Sequence, residues 1–423
     1  MSTSSPVWHP FTQHGLYPDM IKIAGGRGAY LKTADGRRLI DAIASWWVVT
    51  HGHGHPPIVA AIQNQAAILD QVIFAGFTHE PAEELARALI RLAPPGLAHV
   101  FFSDSGSIAV EVALKMTLGY WHHMGEPKRN RVVVLEHGYH GDTVGAMSVG
   151  QRGVFNRPYE PLLFDVETIP FPRAGAEERT LEALATICRA HAGRLAALLV
   201  EPLVLGAGGM RMYGAATLAA LKRICEANDL VFIADEVMTG WGRTGTVFAC
   251  EQAGVLPDIL CTAKGITGGA LPLAATLCQP RFFDAHFGTD RARTFFHSSS
   301  YTANPIACAA ARANIDTWKN EPVAGRIAAL GRAQDRQLER LAADRRFMNP
   351  RRTGTIAAVD LAVGDAGYLS DIGPRLYRYF IDREVLLRPL GNTLYVLPPY
   401  AIGEDDLEET YDAIAAAPDA LGL

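Results

Sequence analysis

The sequence predicts an α/β protein with a mostly parallel central sheet, flanking helices and a smaller α+β domain formed by both termini. Three observations support this prediction. Short, continuously apolar segments recur along the middle of the chain, as in strands that are covered on both faces. Segments with the apolar spacing of helices alternate with them, as in sheets with helices on both faces. The two ends of the chain have the pattern of hairpins instead.

Five segments have the length and composition of buried strands, since each is an apolar run bounded by polar or turn-forming residues. They are residues 99–103, 131–136, 195–202, 230–236 and 258–263. A helix is predicted after the first strand because apolar residues recur there every four positions. These residues are Ile108, Val112, Met116 and Tyr120. A second helix is predicted just before residue 230.

The two ends of the chain are expected to fold together. Residues 21–50 have the pattern of a hairpin with an Asp35-Gly36 turn, and a second hairpin-like segment covers residues 384–400. We therefore expect a small domain whose N-terminal part is 1–57 and whose C-terminal part is 319–423, with a large domain at 58–318.

Composition narrows the class of protein. The chain has 423 residues, a net charge of −5 and no dense run of lysine and arginine, so a nucleic-acid surface is not expected. The N-terminus lacks the pattern of a signal peptide, and no segment approaches the ~20 apolar residues of a membrane span. Six cysteines form no C-x-x-C pair. These features predict a cytoplasmic protein with reduced cysteines and no membrane or metal partner.

Two motifs after predicted strands are candidates for ligand binding, each with a plain structural alternative. Gly106 and Ser107 open a helix directly after a strand, where free backbone N–H groups and the helix dipole favour an anion, although the same sequence is also an ordinary helix cap. Tyr139 follows the strand at 131–136 and either stacks on a flat ligand or fills core. His140 is interpreted as a packed or hydrogen-bonded histidine rather than a base.

The remaining candidates are an acid and an amine. Asp235 ends one apolar strand, and Lys264 follows another as the single charge between Asp258 and Arg281. Together with an anion-binding turn, they are the groups that pyridoxal 5'-phosphate requires: an amine for its aldehyde, a carboxylate for its ring nitrogen and a helix N-terminus for its phosphate. A plain Asp–Lys ion pair explains the charges but not the glycines of "KGITGG".

The histidine-rich segment "HGHGHP" at residues 51–56 resembles a metal cluster. Its glycines and terminal proline indicate a turn, and neither cysteine nor carboxylate joins it nearby in the sequence. We therefore expect no metal there. An NAD-type dinucleotide fold is also excluded, because no G-x-G-x-x-G follows a strand.

Residues 235–269 resemble the cofactor-lysine signature of the class III pyridoxal-phosphate-dependent aminotransferases of fold type I. Further stretches are similar to the members that act in biotin biosynthesis, and the similarity covers nearly the whole chain in the expected order. These stretches are residues 8–13, 45–47, 103–116, 138–149, 201–213 and 386–400. The implied reaction is a ping-pong transfer of the amino group of S-adenosylmethionine to 8-amino-7-oxononanoate, giving 7,8-diaminononanoate.

The resemblance also implies roles for individual residues. Lys264 would bind the cofactor aldehyde, Asp235 the ring nitrogen and the turn at Gly106 and Ser107 the phosphate. Tyr139 and Val237 would cover the two ring faces. Ser299 and Ser300 would reach the phosphate from a second subunit, which implies a homodimer with shared active sites. The expected substrate-binding residues are Phe11, Trp46, Asp142, Arg388 and Tyr395. Glu201 and Arg243 fall in matching motifs without an assigned role.

Two positions depart from the family pattern. Phe11 stands where members commonly have tyrosine, so a phenol hydroxyl near the substrate is missing. Residues 298–300 are three serines instead of Gly-Pro-Thr, and a serine hydroxyl can still donate. The first departure leaves open a member that uses lysine as donor, or an ω-aminotransferase with other substrates. A binding or regulatory module that keeps the fold is a further alternative.

Overall fold

The computed structural model describes residues 5–17 and 20–423. The strands of this part are β1 (Ile23–Arg27), β2 (Tyr30–Thr33), β3 (Arg38–Asp41), β4 (His99–Ser103), β5 (Arg131–Leu135), β6 (Glu167–Ile169), β7 (Leu195–Val200), β8 (Val204–Leu205), β9 (Arg211–Met212), β10 (Val231–Asp235), β11 (Ile259–Thr262), β12 (Ala274–Cys278), β13 (Phe347–Thr353), β14 (Ile356–Leu361), β15 (Val385–Leu386) and β16 (Thr393–Val396).

Helices surround these strands. They are α1 (Ala44–Trp47), α2 (Pro56–Ala66), α3 (Glu80–Leu92), α4 (Gly106–His123), α5 (Val144–Ser148), α6 (Glu177–Ala190), α7 (Ala215–Ala227), α8 (Pro280–His286), α9 (Pro305–Asn320), α10 (Val323–Ala342), α11 (Ile372–Ile381) and α12 (Glu404–Leu421). Short 3₁₀ turns lie at Arg157–Leu162, Ala249–Ala253, Lys264–Thr267 and Arg291–Arg293. Within residues 5–17 and 20–423, none of the helices has both the length and the apolarity to cross a membrane.

A seven-stranded sheet forms the centre of the molecule, in the order β4-β12-β11-β10-β7-β5-β6. Its strands run parallel except β12, which is antiparallel to both of its neighbours. All five predicted strands lie in this sheet, and the two predicted helices are α4 and α7. The predicted α/β class is therefore confirmed. The carboxyl ends of the parallel strands lie at one edge of the sheet.

The central strands are apolar throughout because both faces of the sheet are covered. In β7, Leu198 and Val200 belong to one hydrophobic cluster, whereas Ala197 and Leu199 belong to another. Side chains alternate between the faces of a strand, so these clusters lie on opposite sides of the sheet. The polar residues that follow such strands are thereby fixed on a rigid framework.

Two smaller sheets contain residues from the ends of the chain. The first has the order β1-β2-β3-β15, and β2 and β3 form the predicted antiparallel hairpin around Asp35 and Gly36. The second hairpin-like segment does contain a tight turn closed by an antiparallel bridge between Leu390 and Thr393, but the pairing of its two strands with each other was wrongly predicted. β15 pairs with β3, whereas β16 pairs with β14 in the sheet β13-β14-β16, because each strand finds a partner outside its own segment. The domain division at 57/58 and 318/319 stays a prediction.

Candidate active site

The predicted catalytic residues Asp235 and Lys264 meet at the carboxyl edge of the central sheet, together with Glu201, for which no role was predicted. Asp235 is the last residue of β10, Lys264 follows the end of β11, and Glu201 directly follows β7. These residues line a cavity of about 390 Å³. Other predicted residues on its wall are Gly106, Ser107, Tyr139, His140 and Val237. Strand ends of this kind are where ligands bind in parallel α/β sheets.

Asp235 is fixed by two hydrogen bonds. Its Oδ2 lies 2.7 Å from His140 Nδ1, and its Oδ1 accepts a 3.1 Å hydrogen bond from the backbone N–H of Val237. Both Asp235 and His140 are buried. Burial acts to lower the pKa of His140, but the hydrogen bond and the charge of Asp235 outweigh it, so the net shift is upward. His140 thus holds the carboxylate in place, as its sequence context suggested.

Lys264 occupies a strained position in a glycine-rich loop. Its φ angle is +45°, in the left-handed region that non-glycine residues avoid. Burial lowers the pKa of its amine, and the charges of Asp235 and Glu201 oppose the shift. A side chain at Gly269 would lie 2.6 Å from the carbonyl oxygen of Val48, so this residue must be glycine for the loop to pack. The "KGITGG" pattern therefore has a packing cause.

The N-terminus of α4 forms another wall of the cavity. Ser105 caps the helix by accepting a 3.3 Å hydrogen bond from the backbone N–H of Ile108. Gly106 and Ser107 occupy the first helical positions, where backbone N–H groups have no partner within the helix. A Cβ atom at Gly106 would lie 2.6 Å from Val237 Cγ1, so only glycine fits. Ser105 can therefore cap the helix while the backbone N–H groups of Gly106 and Ser107 remain available to an anion.

Glu201 organises the Tyr139 side of the cavity. Its two carboxylate oxygens accept 3.0 Å hydrogen bonds from the backbone N–H groups of Tyr139 and Gly206. Burial raises the pKa of Glu201 to about 7. Burial, followed by the charge of Asp142, raises the pKa of Tyr139 far above its ordinary value, so the phenol remains neutral.

The predicted substrate residues lie farther out. Arg388 donates a 2.7 Å hydrogen bond to the carbonyl oxygen of Phe11, and its guanidinium carbon lies 5.3 Å from the centre of the Trp46 ring. The Phe11 and Trp46 rings are 5.7 Å apart. Phe11 and Arg388 line a separate cavity of about 380 Å³. Asp142 lines a third, of about 220 Å³, which shares Tyr139 with the main cavity.

Tyr395 lies outside the walls of these cavities. It is only 4% exposed, and its hydroxyl accepts a 3.1 Å hydrogen bond from Trp47 Nε1. Trp47, rather than Trp46, is the tryptophan that lines the main cavity. The sequence shows two adjacent tryptophans, and no periodicity could have told which one faces the cavity, because the chain there leaves regular geometry.

The two predicted serines are not on the wall of the main cavity. Ser299 Oγ donates a 3.1 Å hydrogen bond to Asp104, which lines the cavity. The carbonyl oxygen of Ser300 accepts a 2.8 Å hydrogen bond from Gln71. Arg243, which had no assigned role, is buried and donates to the carbonyl oxygens of Pro398 and Val49.

The three histidines of "HGHGHP" each bind a different partner. His51 contacts Asn314 at 2.8 Å, His53 contacts Asp41 at 2.7 Å and His55 contacts Glu321 at 2.9 Å. The rings are therefore used in separate hydrogen bonds. Among the residues that the structure describes, no group of three or more acidic, histidine or cysteine side chains has the arrangement of a metal site.

The groups on the cavity wall fit pyridoxal 5'-phosphate. A desolvated amine at Lys264, a buried carboxylate at Asp235 and the helix N-terminus at Gly106 meet in one space of about 390 Å³. A neutral aromatic ring at Tyr139 adds a stacking surface. An amine, an acid and an anion site are what this cofactor uses.

The comparisons with known proteins agree with this fit. Residues 13–417 match the family described as Aminotransferase class-III. The chain is 49% identical over 421 residues to the adenosylmethionine-8-amino-7-oxononanoate aminotransferase of Synechococcus elongatus, covering 98% of this chain and 99% of that protein.

Two solved structures have a similar fold. The adenosylmethionine-8-amino-7-oxononanoate aminotransferase of Methanocaldococcus jannaschii matches with a TM-score of 0.92 at 32% identity, covering 97% of this chain and 96% of that one. An amine transaminase from an uncultivated Pseudomonas species, in a PLP-bound form, matches with a TM-score of 0.92 at 34% identity, covering 98% of each chain.

Proposed function

The chain belongs to the class-III aminotransferase family, and from this premise we propose that it transfers the amino group of S-adenosylmethionine to 8-amino-7-oxononanoate. The product is 7,8-diaminononanoate, for biotin biosynthesis, and the cofactor is pyridoxal 5'-phosphate. The observation that carries the proposal is the convergence of Lys264, Asp235 and the Gly106 turn in one cavity. The name of the relative from Synechococcus elongatus supports the choice of substrates.

When bound, pyridoxal phosphate supplies an aldehyde for amine exchange and a ring that withdraws electrons from the donor carbon. Asp235 holds a proton on the ring nitrogen, and His140 keeps its carboxylate oriented. The amine of Lys264 would take the proton from the donor carbon as a base and give a proton back as an acid. Because burial lowers its pKa, the neutral amine needed for the first step is easier to form.

Other residues bind and orient the cofactor. The backbone N–H groups of Gly106 and Ser107 hold the phosphate at the start of α4, where the helix dipole favours an anion. Tyr139 and Val237 cover the ring faces. Glu201 fixes the backbone of Tyr139, so it sets the position of that ring.

The substrates bind on the side of Trp46 and Arg388. The guanidinium of Arg388 binds a substrate carboxylate, a task for which its planar donor geometry is suited. The aromatic faces of Trp46 and Phe11 attract a sulfonium group through cation–π interaction. Asp142 borders the neighbouring cavity and completes this side of the site. Tyr395 acts indirectly, because its hydroxyl accepts a hydrogen bond from the indole N–H of Trp47 and so helps to position that ring.

We also propose that the enzyme is a homodimer in which Ser299 and Ser300 of one copy approach the phosphate site of the other. Apolar side chains are exposed around this segment, including Ile73 at 65%, Phe77 at 61%, Phe296 at 71% and Tyr301 at 64%. Exposed apolar patches of this kind are typical of interfaces. Hydrogen bonds from Gln71 to Ser300 and from Asn304 to Asp70 join the two stretches into one surface.

The remaining sequence predictions extend the same proposal. The large domain would cover residues 58–318 and carry the cofactor, and the two terminal parts would form the small domain. A cytoplasmic location, without membrane or nucleic-acid partners, agrees with the small-molecule substrates of the reaction.

A second candidate function keeps the chemistry and changes the donor. Phe11 lies 5.7 Å from Trp46 and provides no hydroxyl on the substrate side, so lysine or another amine could replace S-adenosylmethionine. A regulatory module without catalysis is disfavoured by the intact set of Lys264, Asp235 and the phosphate turn.

A donor screen tests the proposal. Purified holoenzyme is incubated with 8-amino-7-oxononanoate and either S-adenosylmethionine or lysine, and 7,8-diaminononanoate is measured by mass spectrometry. Product with S-adenosylmethionine is expected. Product with lysine alone would support the second candidate, and absence of product with both donors would overturn the proposed substrates.

A further inference from the structure

The two adjacent tryptophans lie on a strained segment. In α1, Ala44, Ser45 and Trp47 have φ angles of +52°, +61° and +66°. Left-handed backbone at a non-glycine residue costs on the order of 1 kcal/mol or more, and it persists only where neighbouring groups hold it. The strain separates the two indoles. Trp47 is 5% exposed and lines the main cavity, whereas Trp46 is 43% exposed and contacts Phe11.

A buried carboxylate holds the start of this segment. Asp41 ends β3 and is fully buried. Its Oδ1 accepts a 2.8 Å hydrogen bond from the backbone N–H of Ser45, and its Oδ2 accepts a 3.1 Å hydrogen bond from Ser45 Oγ. His53 Nε2 lies 2.7 Å from the same Oδ2. Ser45 thus bonds both oxygens of the carboxylate, and His53 shares Oδ2 with the Ser45 hydroxyl.

Trp47 has anchors of its own. Its indole N–H donates to Tyr395, and Arg243 donates a 2.9 Å hydrogen bond to the carbonyl oxygen of Val49, just beyond it. Ser45, at the other end of the segment, is held through Asp41. Disturbing Asp41 should therefore move Trp46 more than Trp47.

We infer that Asp41 and His53 are positioning residues that fix Ser45 and so present Trp46 to the substrate. This inference deepens the proposed function and rests on it. His53 is the part that can be tested cleanly, because its side chain is 16% exposed and its removal leaves the Asp41–Ser45 contacts chemically intact. Losing the imidazole removes one of the three hydrogen-bond partners that orient a buried carboxylate, so the carboxylate can turn toward other donors and fix Ser45 less firmly.

The same motif provides a matched control. His55 contacts Glu321 at 2.9 Å, and its side chain is 11% exposed, so this histidine resembles His53 in chemistry and burial, whereas Glu321 is 28% exposed and also pairs with Arg326. It joins the start of α2 to the end of α9 rather than to the tryptophan segment. A purely structural loss should therefore appear in both histidine variants, whereas mispositioning of Trp46 should appear in one.

The experiment compares His53→Ala, His53→Gln and His55→Ala as holoenzymes, with kcat and KM measured for both substrates and thermal unfolding recorded. We expect His53→Ala to raise KM by about tenfold, the effect of one hydrogen bond to a charged group, while kcat changes by less than about threefold. Glutamine can place an amide N–H near the position of Nε2, so His53→Gln should restore KM. His55→Ala should leave KM unchanged.

The outcomes distinguish a failure of the proposed function from a failure of the positioning role of Asp41 and His53. Failure of the wild type to form product would overturn the proposed substrates. An active wild type with equal KM values in His53→Ala would overturn the positioning role, and so would the same rise in KM in His55→Ala. Should His53→Ala fail to fold, Ser45→Ala removes the Oγ contact alone, and an unchanged KM in that variant would equally overturn the inference.

Discussion

The side-chain nitrogen of Lys264 lies 5.5 Å from the centre of the Trp47 indole ring. A cation over an aromatic face within about 6 Å is stabilised by the ring. Burial nevertheless dominates and lowers the pKa of the amine. Lys264 therefore shares the cavity with the carboxylates of Asp235 and Glu201, and its amine releases a proton more readily than that of an exposed lysine. An amine in this state is suited to act first as a general base and then as a general acid.

Replacement of Lys264 by alanine should abolish turnover and leave the fold intact. General acid–base groups commonly contribute about a hundredfold or more to rate, so we expect kcat to fall by at least about a hundredfold. The measurement is steady-state turnover together with far-ultraviolet circular dichroism. Lys319→Ala provides the control, since the Lys319 side chain is 60% exposed and far along the chain in α9. A Lys264→Ala variant with most of its activity would rule out the assigned role.

Replacement of Asp235 by asparagine should slow the chemical step while the cofactor stays bound. The amide keeps the volume of the side chain but loses the charge that stabilises a proton on the cofactor ring. We expect the single-turnover rate to fall by about a hundredfold. Cofactor content is measured from the visible absorbance of the purified variant.

Asp229→Asn repeats the same substitution at an exposed site and serves as the control for its chemistry. Its side chain is 66% exposed and pairs with Arg129 away from the cavity. Equal single-turnover rates in Asp235→Asn and the wild type would contradict the role of Asp235.

The stability of the protein should fall in acid because of His51. Burial lowers the pKa of His51 to about 4, below the ordinary 6.5. Between these values the unfolded chain binds a proton that the folded chain excludes, so unfolding is favoured as pH decreases. In His51→Gln, an amide can still donate to Asn314, and this pH dependence is absent.

Chemical denaturation at several pH values checks the His51 prediction. Between about pH 7 and about pH 5, the free energy of unfolding of the wild type should fall by about 2 kcal/mol more than that of His51→Gln. Parallel curves for the two proteins would show that His51 does not exclude the proton.

Much of the framework could be predicted from the sequence, because buried parallel strands are continuously apolar. The strands that carry Asp235 and Lys264 were found this way, and the residues after them proved to share one cavity. β12 was not predicted as a strand, since its antiparallel run follows the lysine loop after a short turn and has no pattern of its own. Short runs of small apolar residues do not distinguish strand from loop.

The sequence could not predict features that depend on contacts between distant segments. β15 and β16 were read as a hairpin because they are neighbours in the chain, yet each pairs with a strand elsewhere. The exposure of Trp46 follows from the left-handed backbone of α1, and the burial of Tyr395 follows from its place in β16 beside β14; no local pattern indicates either. Asp41 holds that backbone by accepting hydrogen bonds from Ser45. The residue types alone, an aspartate and a serine, would suggest a surface turn.

Arg388 offers the final prediction, because its environment can be matched within the same chain. Its guanidinium lies 5.3 Å from the Trp46 ring and donates to the carbonyl oxygen of Phe11. In Arg388→Lys the positive charge remains, but the planar donor pair and the stacking are lost. The KM for 8-amino-7-oxononanoate should therefore rise by about tenfold, with kcat changed less.

Arg383→Lys is the control for this substitution. The Arg383 guanidinium lies 3.8 Å from the Tyr379 ring and donates to the carbonyl oxygen of Tyr379, so it resembles Arg388 in both contacts. It lines none of the cavities around Lys264 or Phe11. Any general effect of exchanging a stacked arginine should appear in both variants. A rise in KM confined to Arg388→Lys would assign carboxylate recognition to that guanidinium, whereas equal KM values in the two variants would remove it from the substrate site.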